Sequence, residues 1–117
     1  MTPFGERIRA LRQARGLTQA RMAADLGISA AYLSALEHGR RGRPSWSLVQ
    51  AILGYFEIIW DEAEELQELA RLSHPKLCID TAGLSPKATL MVNRLARDVA
   101  KLNDDQLDRL TAILDEK

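Results

Sequence analysis

The sequence predicts an all-α protein: a five-helix domain, then a C-terminal helical hairpin, with one short strand between them. Three observations carry this. Apolar residues recur three and four apart through most of the chain, the period of an amphipathic helix. Residues that cap helices stand just ahead of those stripes, as at Thr2-Pro3, Thr18, Ser29, Ser45 and Ser85-Pro86. No strand-like alternation of useful length occurs before residue 76. The expected organisation is a domain over 1–73 and a second segment over 74–117.

Each element follows from its own residues. Phe4, Ile8 and Leu11 share one face of a first helix that Thr2 caps and Arg15-Gly16 ends. Thr18 caps a short second helix with Met22, Ala23 and Leu26, and Gly27 stops it. Ser29 caps a third, with Leu33 and Leu36 on one face and His38-Gly39 at its end. Arg40 to Pro44 reads as a loop, since glycine and proline both break helices. Ser45 caps a fourth helix bearing Leu48, Val49, Ile52, Leu53 and Phe56. Asp61 and Glu64 read as the cap pair of a fifth, with Leu66, Leu69 and Ala70 inward. His74-Pro75 breaks that helix, and 76–80 reads as the short strand. After Ser85-Pro86 a sixth helix carries Ala88, Met91, Val92, Leu95, Val99 and Leu102. Asn103 and Gln106 form a capping box opening a seventh, with Leu107, Leu110, Ile113 and Leu114.

Composition narrows the function classes. The chain has 117 residues, 46% hydrophobic and 27% charged, an ordinary globular balance. No apolar run approaches the ~18 residues that span a bilayer. The N-terminus carries charge without an apolar core, so it does not read as a secretory signal and a cytoplasmic location is expected. The single cysteine, Cys78, has no partner for a disulfide and reads as a small buried hydrophobe. His38 and His74 lack the companions a metal needs, so no metal or cofactor is expected. There is no glycine-rich phosphate loop, nucleophile elbow or HExxH, and the chain does not read as an enzyme. The net charge of zero hides a division. Residues 1–44 carry eight arginines against three acids, net +5; residues 45–73 carry one arginine against six acids, net −5; the remainder balances at seven and seven. A basic half on a neutral chain points to a polyanion-binding face.

That basic half contains two short helices joined by a tight turn, residues 18–39. Ala23 is small enough for the second helix to approach the third closely. Gly27 permits a backbone turn that a Cβ would strain. Ile28 and Leu33 are expected to bury between the helices. The third helix then presents its N-terminal residues outward, as in a helix-turn-helix that enters a major groove.

Over about residues 4–60 the chain resembles the helix-turn-helix domain of lambdoid phage repressors and Cro proteins, an XRE-like family of bacterial regulators. The resemblance rests on Leu17-Thr18-Gln19, Ala23, Leu26-Gly27-Ile28-Ser29, Leu33, Leu36-Glu37, Gly39 and Pro44. It implies a five-helix lambda-repressor-like fold and a sequence-specific regulator of transcription, most often a repressor. Such a protein would bind double-stranded DNA as a homodimer on a near-palindromic operator. By position, Gln19 would hydrogen-bond a phosphate, and Arg12 and Glu37 would form an ion pair between the first and third helices. Ser29, Ala30, Ala31, Tyr32, Ser34 and Ala35 fall on the recognition helix. Arg40, Arg41 and Arg43 fall in the loop that follows the DNA backbone and reaches the minor groove. The chain departs from the pattern in two ways. Alanine stands at 30, 31 and 35 where several phage repressors have glutamine, and alanine offers only contact with a thymine methyl. Arg21 replaces an acid, losing a capping box and adding a phosphate-seeking charge.

Other features have plainer readings. Trp46, Phe56 and Trp60 read as core or interface anchors, and the five acids of 61–68 as a solvated face. Tyr32 reads either as a base reader or as core, and Arg7 and Arg9 either as solvated or as phosphate-facing. A two-helix hairpin alone buries too little surface to be stable. Residues 76–117 are therefore expected to form the dimer interface, with Leu95, Val99 and Leu110 near its centre and the strand pairing with its twin. The alternative is an antitoxin-like or anti-activator module whose C-terminal segment binds another protein.

Overall fold

The computed structural model describes residues 1–40 and 43–116. It divides into two compact units, Met1–Leu77 and Cys78–Lys117. All regular structure among the described residues is helical. No described helix is long and apolar enough to cross a membrane.

The first unit contains α1 (Pro3–Ala14), α2 (Gln19–Leu26), α3 (Ala30–Glu37), α4 (Trp46–Tyr55) and α5 (Trp60–Arg71). Thr2, Thr18, Ser29 and Ser45 each accept a backbone N–H from the first turn of the helix they precede. These oxygens satisfy donors that have no intrahelical partner. The five helices close over Phe4, Ile8, Met22, Leu33, Ile52 and Leu66, all nearly inaccessible, with Ala23, Leu36, Val49, Leu53, Phe56 and Ala70 around them. At Gly5 a Cβ would run into the Leu36 carbonyl, so glycine there sets how closely α1 lies on α3. The Phe4 amide donates to Ser73 Oγ (2.9 Å), joining the start of α1 to the second residue past α5.

Helix ends repeat one device. After α2 the Ile28 amide reaches back to the Ala23 carbonyl and the Gly27 amide to Ala24, with Gly27 at φ +74°. This is the Schellman arrangement, and its left-handed residue is ordinarily glycine. The same pair of bonds ends α4, from Ile58 to Leu53 and from Glu57 to Gly54, but the left-handed position is occupied by Glu57 at φ +56°.

Five expectations are corrected here. Asp61 does not cap α5. Its N-cap is Ile59, without a side-chain hydrogen bond, and the helix begins at Trp60 with φ +59°. The turn after α4 delivers the chain into α5 two residues early, so Asp61 and Glu62 fall in the first turn. There they complement the helix dipole instead of capping. Residues 76–80 form no strand. No second strand exists among the described residues to pair with them, and an isolated strand leaves its backbone groups unpaired. Cys78 is exposed, since no described residue after it is buried and there is no core for it to enter. Trp46 and Trp60 are not core residues, at 73% and 81% exposure, whereas Phe56 is buried. Arg7 is not merely solvated: it forms a partly exposed pair with Glu65 at 2.6 Å.

In the second unit, α6 (Pro86–Asp98) runs into a 3₁₀ turn (Val99–Lys101), and α7 (Asp104–Leu114) follows. Ser85 caps α6, and Asn103 with Gln106 makes both bonds of a capping box on α7. No described residue of this unit is buried. Leu90, Met91, Val99, Leu107, Leu110, Ile113 and Leu114 are exposed, and Leu95 is half-buried.

Candidate nucleic-acid interface

The arrangement of α2 and α3 rests on a buried charge. Glu37, at the end of α3, is fully inaccessible. Arg12 on α1 meets it with both prongs, Nε to Oε2 at 2.8 Å and Nη2 to Oε1 at 3.0 Å. The third guanidinium nitrogen donates to the Leu17 carbonyl at 2.8 Å, in the link before α2. The Gln19 amide donates to Glu37 Oε1 at 3.1 Å. One carboxylate thus ties α1, the link, α2 and α3 together. Its hydrogen bond raises the Arg12 pKa further against the opposing effect of burial. A planar, two-pronged pair of this kind fixes orientation as well as distance.

With α3 so held, its N-terminal half faces outward. Ser29, Ala30 and Ala31 are exposed, while Tyr32, Ser34 and Ala35 are half-buried. Ser29 Oγ accepts the Tyr32 amide at 3.0 Å. Tyr32 packs its ring against the edge of the core beside Ile28 and Leu48. Ser34 faces His38, whose Nδ1 lies 2.8 Å from the Ser34 carbonyl, the geometry of a donated N–H. Arg40 and Arg43 are exposed on the loop after α3. Arg41 lies outside the described residues.

Gln19 is thus turned toward Glu37 in this structure, and Arg21 pairs with Asp25 on the next turn at 3.1 Å. Leu95 and Leu110 line a groove along α6 and α7, and Val99 stands on the 3₁₀ turn.

Two ties escaped sequence reasoning. Asp25 accepts the Tyr55 hydroxyl at 2.7 Å, linking α2 to α4. That bond, and then Arg21, hold the Asp25 carboxyl below its ordinary range, and Asp25 in turn pushes the Tyr55 phenol up. Arg15 donates to the Tyr55 and Phe56 carbonyls at 3.2 and 3.0 Å and lies 5.1 Å over the Phe56 ring. It closes the end of α4, whose carbonyls have no partner within the helix. The Arg21–Asp25 spacing was readable as a helical i,i+4 pair. The partners 30 and 41 residues away carried no local signal.

Comparison with known proteins agrees with this geometry. The chain is 36% identical over 61 residues to a Bacillus subtilis protein named "Uncharacterized HTH-type transcriptional regulator RghRB". It is 38% identical over 61 residues to another from the same organism, "HTH-type transcriptional repressor RghR". Each match covers 52% of this chain and 44% or 45% of the relative, so the aligned part spans less than half the length of either. The helix-turn-helix domain family matches residues 3–66, which takes in α1 to α4 and the first half of α5. A domain match covering more than half the chain, on a fold whose α2–turn–α3 has the geometry just described, places this protein in the helix-turn-helix domain family.

Proposed function

We propose that this chain is a sequence-specific DNA-binding regulator of transcription, acting as a repressor on a near-palindromic operator. One observation carries the reading. The exposed Ser29, Ala30 and Ala31 open a helix whose far end is fixed through Glu37 and is followed by exposed Arg40 and Arg43, within residues 1–44 of net charge +5. The name of the related repressor RghR supports it. In this reading α3 enters the major groove, with Ser29, Ala30, Ala31, Tyr32 and Ser34 toward base edges. Arg40, Arg41 and Arg43 follow the backbone. Gln19 and Arg21 turn from their internal partners toward phosphates at the start of α2.

The test is a titration of duplex DNA selected from a random pool, repeated at several salt concentrations. A complex neutralising on the order of 6–10 phosphates loses about 10³–10⁵ in affinity between 50 and 200 mM salt. Selection that enriches no sequence, or binding indifferent to salt, overturns the reading.

The protein is further proposed to act as a homodimer through its second unit, because α6 and α7 bury nothing by themselves. Leu95, Val99 and Leu110 would lie near the centre of that interface. It would hold two copies of α3 about one DNA turn, ~34 Å, apart. A chain ending at Leu77 is then expected to sediment as a monomer and to bind operator far more weakly. The same exposed stripes favour a second reading, in which the second unit binds another protein in the manner of an antitoxin or anti-activator. A truncated chain that binds operator at full affinity supports that alternative.

A further inference from the structure

A hollow of about 560 Å³ opens on the first unit between α4, α5 and the loop before α4. Its size falls within the range of roughly 300–1,000 Å³ typical of small-molecule sites. Val49 and Ala70, both buried, form an apolar floor. Trp46 stands along one side as a large flat ring, 73% exposed. Arg43, Arg71 and His74 also line it, with Pro44 and Gln67, and no described lining residue is a carboxylate. Arg71 is held at the rim by Glu68 at 2.8 Å, in a pair whose two side chains are both more than half exposed. Exposed pairs of this kind are weak and easily exchanged.

Other hollows differ in chemistry. The one beside Ile28, Tyr32 and Leu48 has no charged lining, and the groove along α6 sets Asp98 among its cations. The α4–α5 hollow joins an exposed indole, an apolar floor and two guanidiniums. Guanidinium groups suit a planar carboxylate, and a flat apolar body suits the indole face.

We infer that this hollow is a binding site for an aromatic carboxylate, and that its occupancy releases DNA because both draw on Arg43. The second half rests on the DNA-binding reading above; the first does not. Arg43 lines the hollow and also belongs to the loop assigned to the DNA backbone. A ligand carboxylate that engages its guanidinium removes it from a phosphate. The coupling is reciprocal, so DNA weakens the ligand as much as the ligand weakens DNA.

The probe is 2-naphthoate, with the neutral 2-naphthamide as its shape-matched control. The protein has two tryptophans, each with one indole N–H resonance. Naphthoate is expected to shift the Trp46 resonance saturably and leave Trp60 in place. Naphthamide, or naphthoate with the Arg71→Gln variant, is expected to bind roughly tenfold or more weakly, the worth of a charge-assisted hydrogen bond. Saturating naphthoate is expected to weaken duplex binding by about 5- to 150-fold. Arg71→Gln retains duplex affinity and loses most of this response. No saturable shift at Trp46, an equal response to naphthamide, or equal movement of Trp60 overturns the site, whatever the protein does with DNA. Saturable binding that leaves duplex affinity unchanged overturns the coupling. Failure of all duplex binding with the Trp46 shift intact leaves the site standing and removes the regulatory reading instead.

Discussion

In the first unit five helices enclose Phe4, Ile8, Met22, Leu33, Ile52 and Leu66, and a buried Glu37 is satisfied by Arg12 and Gln19. In the second unit α6 and α7 have caps of the same kind, and stripes of the same period, yet none of their described residues is buried. Caps and periodicity therefore decide whether a helix forms; they do not decide whether it finds a partner. Burial needs a third surface, which α1, α2 and α3 supply to one another and which two helices do not.

The comparison breaks most sharply at charge. Glu37→Ala leaves Arg12 partly buried without its counter-ion, and is expected to cost on the order of 3–5 kcal/mol in urea unfolding. Asp98→Ala removes the partner of Arg97 on α6 and is expected to leave the unfolding midpoint unchanged, because that pair is solvated. A Glu37→Ala protein as stable as the parent would mean that the carboxylate does not organise the motif.

Apolar truncation sharpens the contrast. Leu33→Ala is expected to destabilise by about 2–5 kcal/mol at any protein concentration. Leu110→Ala is expected to stay within about 0.5 kcal/mol in dilute solution. If the second unit dimerises, its cost grows with protein concentration, because association stabilises only the assembled form. Thermal unfolding across a hundredfold concentration range separates the two.

Helix ends give a smaller effect. Gly27→Ala places a Cβ on a left-handed residue and is expected to cost about 1–2 kcal/mol. Glu57→Gly relieves the equivalent position after α4 and is expected to gain about 1 kcal/mol. Both are read from unfolding midpoints, and a Glu57→Gly protein weaker than the parent would assign the glutamate side chain an untraced role.

The smallest effect is a pH dependence at the tie between α2 and α4. Asp25 is held below its ordinary range, so its contribution is complete above the usual carboxylate range and is lost as acid protonates it. Tyr55 is pushed up, so its contribution persists until pH rises past the ordinary tyrosine value. Tyr55→Phe is therefore expected to weaken the protein slightly and uniformly across neutral pH. The difference from the parent should vanish in acid. A difference that instead grows as Asp25 protonates contradicts the assignment.

Much of the first unit was legible because its signals are local. Thr2, Thr18, Ser29 and Ser45 announce helices within three residues of themselves. Glu37 was placed opposite Arg12 only through the resemblance, since a glutamate at the end of a short helix gives no sign that it will be buried. The start of α5 was misread because the bonds from Ile58 and Glu57 that close α4 outweigh the capping tendency of Asp61. The strand at 76–80 failed for want of a partner, which composition does not reveal. Arg15 and Tyr55 have partners far along the chain, and their roles depend on how α1, α2 and α4 come together. At the interface, the exposure of Ala30 and Ala31 followed from the helix register, whereas the inward turn of Gln19 depended on where Glu37 came to lie.

The hydrogen bond from the Phe4 amide to Ser73 spans 69 residues of sequence. Ser73 also donates to the Leu69 carbonyl, so one hydroxyl joins the beginning of α1 to the end of α5. The polypeptide consequently leaves the first unit at the place where it enters. A body whose two ends meet behaves as a cassette: it can be spliced into another chain, or have its ends joined and be reopened elsewhere, with little disturbance to its interior. For such a body a new opening at the exposed Arg40 would also tell whether the arginines that follow need the continuity of the chain.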